Sequence, residues 1–161
     1  MEQVFLSLGS NLGQRDEHID KARGFLEALA GRIRKISSLY ETQPWGTVYG
    51  MNFYNLVTEL STHLEPYKLH DKLIEIERLC GRTSVSERYA PRIIDIDMLM
   101  FGKRIISTDK LTIPHPLIHE RRFVLTPFAE IASGIVHPIL HKTIGQLLEE
   151  CTDDRKVFKI R

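Results

Sequence analysis

The chain has 161 residues, 42% hydrophobic and 27% charged, with a net charge of +1. That composition suits one domain over 1–161, with a core large enough to stand without staples. The charge balance gives no general drive toward nucleic acid or an anionic membrane, and no apolar run approaches the roughly 20 residues of a membrane-spanning helix.

Gln3 to Leu8 alternates, with Val4, Leu6 and Leu8 on one face, and predicts a first strand. Acidic Glu2 and the short apolar run meeting Gly9 do not read as a secretory leader. The loop Gly9-Ser10-Asn11-Leu12-Gly13 leads to a helix over 16–30, with Ile19, Ala22, Phe25, Leu26 and Leu29 at helical spacing and Gly31 as its stop. Ile33 to Thr42 reads as one continuous second strand. Gln43 to Met51 holds Pro44, Gly46 and Gly50 and predicts an irregular loop carrying Trp45.

Asn52 to Ser61 is a third strand, with Phe53, Asn55 and Val57 sharing one side. Pro66 opens a second helix, whose stripe of Leu69, Leu73, Ile76 and Leu79 ends at Gly81. A loop from Arg82 to Pro91 precedes a strand through Asp95 and Asp97, and Gly102-Lys103 predicts a hairpin into a strand over 104–107. Leu111-Thr112-Ile113-Pro114-His115-Pro116 is a rigid segment. A helical stretch follows over 118–132, broken near Pro127; then comes a helix capped by Thr143, and an edge strand over 157–160. Cys80 and Cys151 sit near helix ends and read as small packing residues, which suits a reducing cytoplasm.

The order strand, helix, strand, strand, helix, strand predicts an α+β, ferredoxin-like βαββαβ core: an antiparallel sheet with helices on one face and C-terminal additions. The opposite face is then free for ligand. Alternation puts Asp95 and Asp97 on one face, roughly 7 Å apart, in a setting where Asp is rare. One reading is a solvated face. The other is divalent metal, since paired carboxylates hold Mg²⁺ ions that also bind phosphates. Arg82, Arg88 and Arg92 feed into that strand, and His115 and Arg121 follow it. Arginines supply fixed bidentate donors for phosphate, and metal with converging arginines suits phosphoryl transfer. No Gly-x-x-x-x-Gly-Lys loop is present, so a nucleotide site here is of another type.

These residues also resemble those of the 6-hydroxymethyl-7,8-dihydropterin pyrophosphokinases of folate biosynthesis. The matching runs are Leu8-Gly9-Ser10-Asn11-Leu12, Ser38-Leu39-Tyr40-Glu41-Thr42, Phe53-Tyr54-Asn55, Glu87-Arg88-Tyr89-Ala90-Pro91-Arg92, Asp95-Ile96-Asp97, Leu111 to Pro116 and Glu120 to Leu125. The resemblance implies transfer of the pyrophosphoryl group of ATP to the pterin hydroxymethyl group, with release of AMP. Asp95 and Asp97 would hold two Mg²⁺ ions, and Arg82 and Arg92 would act on the transferred phosphates. Arg88, His115 and Arg121 would bind the triphosphate; Met98, Lys110, Thr112 and Glu77 would line the rest of the nucleotide. Phe53 and Phe123 would sandwich the pterin, Asn55 would read its polar edge, and Gly9, Thr42, Gln43, Trp45 and Tyr89 would complete the pocket. The chain departs from the common pattern at Ser84, at Tyr89 in place of Trp, and at Ala90 in place of Gly. No nucleic-acid, membrane or obligate protein partner is implied.

Blander readings stand beside these. Phe53 and Phe123 are also what a core would use, His115 is also a loop packing residue, and Arg122 reads as a solvated helix charge. The βαββαβ order also fits an RNA-binding module, but no RNP1 pattern or basic sheet face is evident. A small regulatory domain does not need two aspartates beside three arginines, and a phosphohydrolase would release ADP or phosphate rather than AMP. The loop over 82–91, with Ser84 and Ser86 and little apolar content, reads as a lid that closes on ligand.

Overall fold

The structure is a computed structural model and describes residues 1–44, 51–82 and 91–161. In chain order its first half comprises β1 (Glu2–Ser10), α1 (Arg15–Leu29), β2 (Arg32–Ile36), β3 (Tyr40–Thr42), β4 (Phe53–Thr62) and α2 (Pro66–Leu79). The second half comprises β5 (Asp95–Phe101), β6 (Ile106–Ser107), β7 (Thr112–Ile113), a 3-10 turn at Ile118–Glu120, α3 (Arg122–Ala132), α4 (Ile144–Glu150) and β8 (Val157–Lys159). The main sheet runs β5-β1-β4-β3-β8, all antiparallel, with β2 also paired to β4. This is the strand order of a ferredoxin-like core.

The predicted helices cover one face. Ile19, Ala22 and Leu26 of α1 and Leu69, Leu73 and Ile76 of α2 bury against Val4, Leu6, Leu8, Leu56, Ile96 and Met98. These are the apolar positions spaced for one helix face and one strand face. The C-terminal additions α3 and α4 cover part of the other face, where Phe128, Val124, Ile144 and Leu147 meet Phe5, Val57 and Leu99. Phe5 and Phe128 pack as tilted rings with centroids 4.8 Å apart. What stays open on that face is the end carrying Asp95 and Asp97.

Four expectations are corrected. The second strand is two strands, because Ser37 interrupts it. Its backbone N–H donates to Val57 O (2.9 Å), and its Oγ accepts from the Val57 N–H (2.9 Å), replacing a backbone rung with a side chain. Gly102-Lys103 does not make a hairpin within the main sheet: Gly102 N donates to Gln3 O, and the chain then leaves to pair β6 with β7. The helical stretch breaks at Arg121 rather than at Pro127, which lies buried inside α3. Arg121 is extended there (φ −121°, ψ 99°), and the Arg122 N–H left free at the start of α3 donates to Asp153 Oδ2 (3.2 Å). Arg122 is not a solvated charge, since its guanidinium donates to Asp153 O (2.7 Å) and Cys151 O (2.8 Å). Thr143 does cap α4, in a reciprocal capping box with Gln146. Cys80 and Cys151 are free and buried.

Candidate active site

The register of β1 builds the site. Gly9 pairs with Asp95 on one side and Asn55 on the other, and Ser7 pairs with Asp97 and Val57. Paired residues in an antiparallel ladder share a face, so the two aspartates, Asn55 and Phe53 lie along one open strip.

At the acidic end, Asp95 Oδ1 accepts from Arg82 Nη1 (3.2 Å) and Asp95 Oδ2 from Arg92 Nη1 (3.1 Å). Arg82 also pairs with Glu77 of α2. Gly81, at φ +106°, turns the chain back after α2, so that Arg82 N reaches Glu77 O (3.0 Å). Only glycine takes that conformation at little cost. Burial pushes the Glu77 carboxyl up to about 7, the nearby Asp95 charge adds to the shift, and Arg82 opposes it. Burial also raises the proton affinity of Asp97, and Asp95 pushes the same way, while Arg121 and Arg92 pull against them. Glu77 and Asp97 are therefore costly to ionise even with Arg82 and Arg92 on Asp95.

A cleft of about 320 Å³ opens beside it, between α2, β5 and β7. It brings together Glu77, Asp95, Asp97, Met98, Lys110, Thr112 and His115, distant in sequence. Lys110 pairs with Asp71 (3.1 Å) at the rim. Sequence reasoning missed His70 and Ile74, which also line the cleft. Their spacing from Glu77 on α2, one helical face at i, i+4 and i+7, was the available signal.

His115 is fixed by its backbone, whose N–H donates to Leu99 O (2.9 Å), and its Nδ1 accepts from the Leu117 N–H (3.1 Å). The neutral ring then carries its proton on Nε2. Burial, followed by the Arg121 charge, holds its pKa down to about 4. Because the folded value lies below the ordinary one, His115 favours the fold above about pH 6.5, a contribution lost as pH falls through about 4. Nitrogen-15 NMR is expected to show one neutral Nε2–H tautomer from about pH 5.5 to 8.5; a titration near 6.5 would contradict this geometry.

At the other end, Asn55 is 3% exposed and its Nδ2 donates to Thr42 Oγ1 (2.6 Å). A Cβ on Gly9 would lie 2.5 Å from Asn55 Oδ1, so the glycine makes room for that amide. Phe53 and Phe123 are only half-buried, unlike core aromatics such as Phe5 and Phe128. The Arg121 guanidinium lies 5.6 Å from the Phe123 ring centroid. Thr42 is buried and Gln43 exposed. Trp45, Arg88 and Tyr89, and the lid expected over 82–91 apart from its ends, lie outside the described residues. Among the described residues no three His, Cys, Asp or Glu side chains gather to cage a metal.

Residues 5–133 match the family model described as 7,8-dihydro-6-hydroxymethylpterin-pyrophosphokinase. The chain is 38% identical over 152 residues to the 2-amino-4-hydroxy-6-hydroxymethyldihydropteridine pyrophosphokinase of Aquifex aeolicus, covering 94% of each. It is likewise 38% identical to the folic acid synthesis protein fol1 of Pneumocystis carinii, with 94% of this chain matched to 20% of that one. A Plasmodium falciparum HPPK-DHPS crystal structure superposes with a TM-score of 0.77 at 18% identity, covering 92% of this chain and 45% of that one. That likeness shows the fold. The chain thus spans a fifth of the fungal protein and under half of the Plasmodium chain, but nearly the full length of the bacterial enzyme.

Proposed function

This chain belongs to the 7,8-dihydro-6-hydroxymethylpterin-pyrophosphokinase family, and from that premise we propose how its residues divide the reaction. The chain transfers the pyrophosphoryl group of ATP to 6-hydroxymethyl-7,8-dihydropterin, giving AMP and the pterin diphosphate. One observation carries the division of roles: Asp95 and Asp97 stand on a single sheet face between the cleft and the Asn55–Phe53 end, with Arg82 and Arg92 already on Asp95.

ATP would lie in the cleft, its base end toward Met98, Lys110 and Thr112 and its phosphates toward the aspartates. Asp95 and Asp97 would hold Mg²⁺, two ions in this reading, because paired carboxylates offer the hard oxygen donors taken by an ion that keeps waters and phosphate oxygens as its other ligands. Held there, Mg²⁺ would supply charge neutralisation for the transferring phosphates. Arg82, Arg92 and Arg121 would supply fixed positive charge around them, and Arg88 would join them on the triphosphate. His115 offers a neutral Nε2–H throughout the neutral pH range, because its pKa is held down to about 4. The pterin would stack between Phe53 and Phe123, its polar edge on Asn55, with Gly9, Thr42, Gln43, Trp45 and Tyr89 around it. A flat, polar-edged heterocycle suits aromatic faces with a few fixed hydrogen-bonding groups. We take residues 1–161 as one domain, supported by the two cores sharing one sheet, and place the enzyme in the cytoplasm, supported by its free cysteines. No helix among the described residues is long and apolar enough to cross a membrane.

The deciding assay combines ATP, Mg²⁺ and the hydroxymethyl-dihydropterin and resolves the products. AMP and pterin diphosphate are expected; ADP or free phosphate as the main product would overturn the reading. Asn55→Ala is expected to weaken pterin binding by about 1–3 kcal/mol and leave ATP binding nearly unchanged, measured by calorimetry with each ligand. Equal losses for both ligands would make Asn55 a structural residue instead.

A further inference from the structure

Asn11 follows directly after β1, at the end where Gly9 pairs with Asp95. It is fully buried. Its Oδ1 accepts from the Arg92 backbone N–H at 2.7 Å, and its own backbone N–H donates to Arg92 O at 3.1 Å. The two residues are 81 apart in sequence, and both polar groups of the Arg92 main chain are held by this one asparagine. From that anchored backbone the Arg92 guanidinium reaches Asp95 Oδ2 at 3.1 Å. The Nδ2 of Asn11 is buried and has no hydrogen-bond partner. Buried amide donors are nearly always paired, so the residue is not kept for a complete local network; what it does complete is the hold on Arg92.

We propose that Asn11 is a positioning residue for pyrophosphoryl transfer: it fixes the main chain of Arg92, and through it the aim of the guanidinium at the transferred phosphates. This rests on the role given to Arg92 above. Residues 83–90 precede Arg92, and β5 begins three residues after it, so a fixed point at Arg92 defines where the arginine leaves the sheet scaffold. Arginine stabilises a developing phosphate charge only from a set geometry, and misplacement by about 1 Å can cost on the order of a hundredfold in rate. Ground-state binding of ATP draws on many other contacts and responds less.

The test measures kcat and both KM values for Asn11→Ala, Asn11→Asp, Arg92→Ala and the Arg92→Ala/Asn11→Ala pair, with thermal melting of each. Asn11→Ala is expected to lower kcat about tenfold or more, with either KM changed by less than about threefold. Asn11→Asp keeps the Oδ1 acceptor but adds a buried ionisable carboxyl, so its kcat relative to wild type is expected to recover toward about pH 5, where that carboxyl is neutral, and to fall as pH rises. In the Arg92→Ala background, removal of the Asn11 side chain should cost less than about twofold more, because the residue it aims is gone. Undiminished kcat in Asn11→Ala, or losses that multiply in the double variant, would overturn the inference. Should Asn11→Ala not fold, the pH dependence of Asn11→Asp decides: a kcat ratio to wild type that recovers toward about pH 5 supports the clasp, and a tenfold loss that is the same at every pH in a folded protein rejects it. Wild-type AMP formation in the same assay tests the reaction separately, so failure of the clasp and failure of the functional reading are distinguishable.

Discussion

Asp97→Asn is expected to reduce turnover by about a thousandfold or more while leaving the fold at least as stable as wild type. The Asp97 carboxylate is costly to ionise where it stands, because burial and Asp95 both favour its protonated form. Replacing it with a neutral isostere removes that cost and removes the donor that we assign to Mg²⁺. The pH dependence has a definite sign. A carboxyl whose folded pKa is raised adds stability that is fully present below its unfolded value and is lost as pH rises through the folded value. Wild type should therefore lose this contribution toward alkaline pH, and Asp97→Asn should not. Thermal melts of both proteins at about pH 5 and pH 8.5 read the difference, which should favour the variant more at the higher pH. Near-native AMP formation by Asp97→Asn, or by an Asp95→Ala/Asp97→Ala pair, would sink the metal assignment.

The parts of this molecule that follow from local period were readable in the chain. Asp95 and Asp97 had to share a face because side chains alternate in a strand, and Leu69, Leu73 and Ile76 had to share one because a helix turns every 3.6 residues. Those two rules give most of the sheet and the helix-covered face. The parts that depend on partners far along the chain were not readable. Ser37 splits a strand by bonding to Val57, and Arg122 leaves solvent for carbonyls near Asp153. Neither residue type announces this, since Ser and Arg are both ordinary surface residues. Asn11 was visible only as one member of a Gly-Ser-Asn-Leu-Gly loop; its grip on Arg92 requires the fold to bring β1 beside β5. His70 is the intermediate case, because its helical spacing from Glu77 was present but its facing the cleft depends on where α2 docks.

Arg82 is held by carboxylates at the place where the phosphates are proposed to lie. Its guanidinium is half-buried between Glu77 and Asp95, with Asp95 Oδ1 at 3.2 Å. Both carboxylates strengthen its hold on its proton, so it stays a cation. In exchange it offsets part of the pressure that carries Glu77 up to about 7. On the proposed division of roles, Mg²⁺ held by Asp95 would release the planar fork of Arg82 to engage the ATP phosphates. There it would stabilise the charge that develops in the transition state, so its interaction is expected to strengthen as transfer proceeds. Arg82→Ala is therefore expected to lower kcat by about a hundredfold while changing the ATP dissociation constant by less than about threefold. Arg82→Lys should recover little, because a point charge does not reproduce the two-pronged donor. Loss of the arginine also leaves Glu77 and Asp95 facing each other with less compensation, so the acidic limb of the pH–rate profile should move to higher pH. Rapid-quench measurement of AMP formation, together with ATP calorimetry, separates the two effects. Equal losses in kcat and in ATP affinity would place Arg82 among the ground-state contacts and remove it from the transfer step.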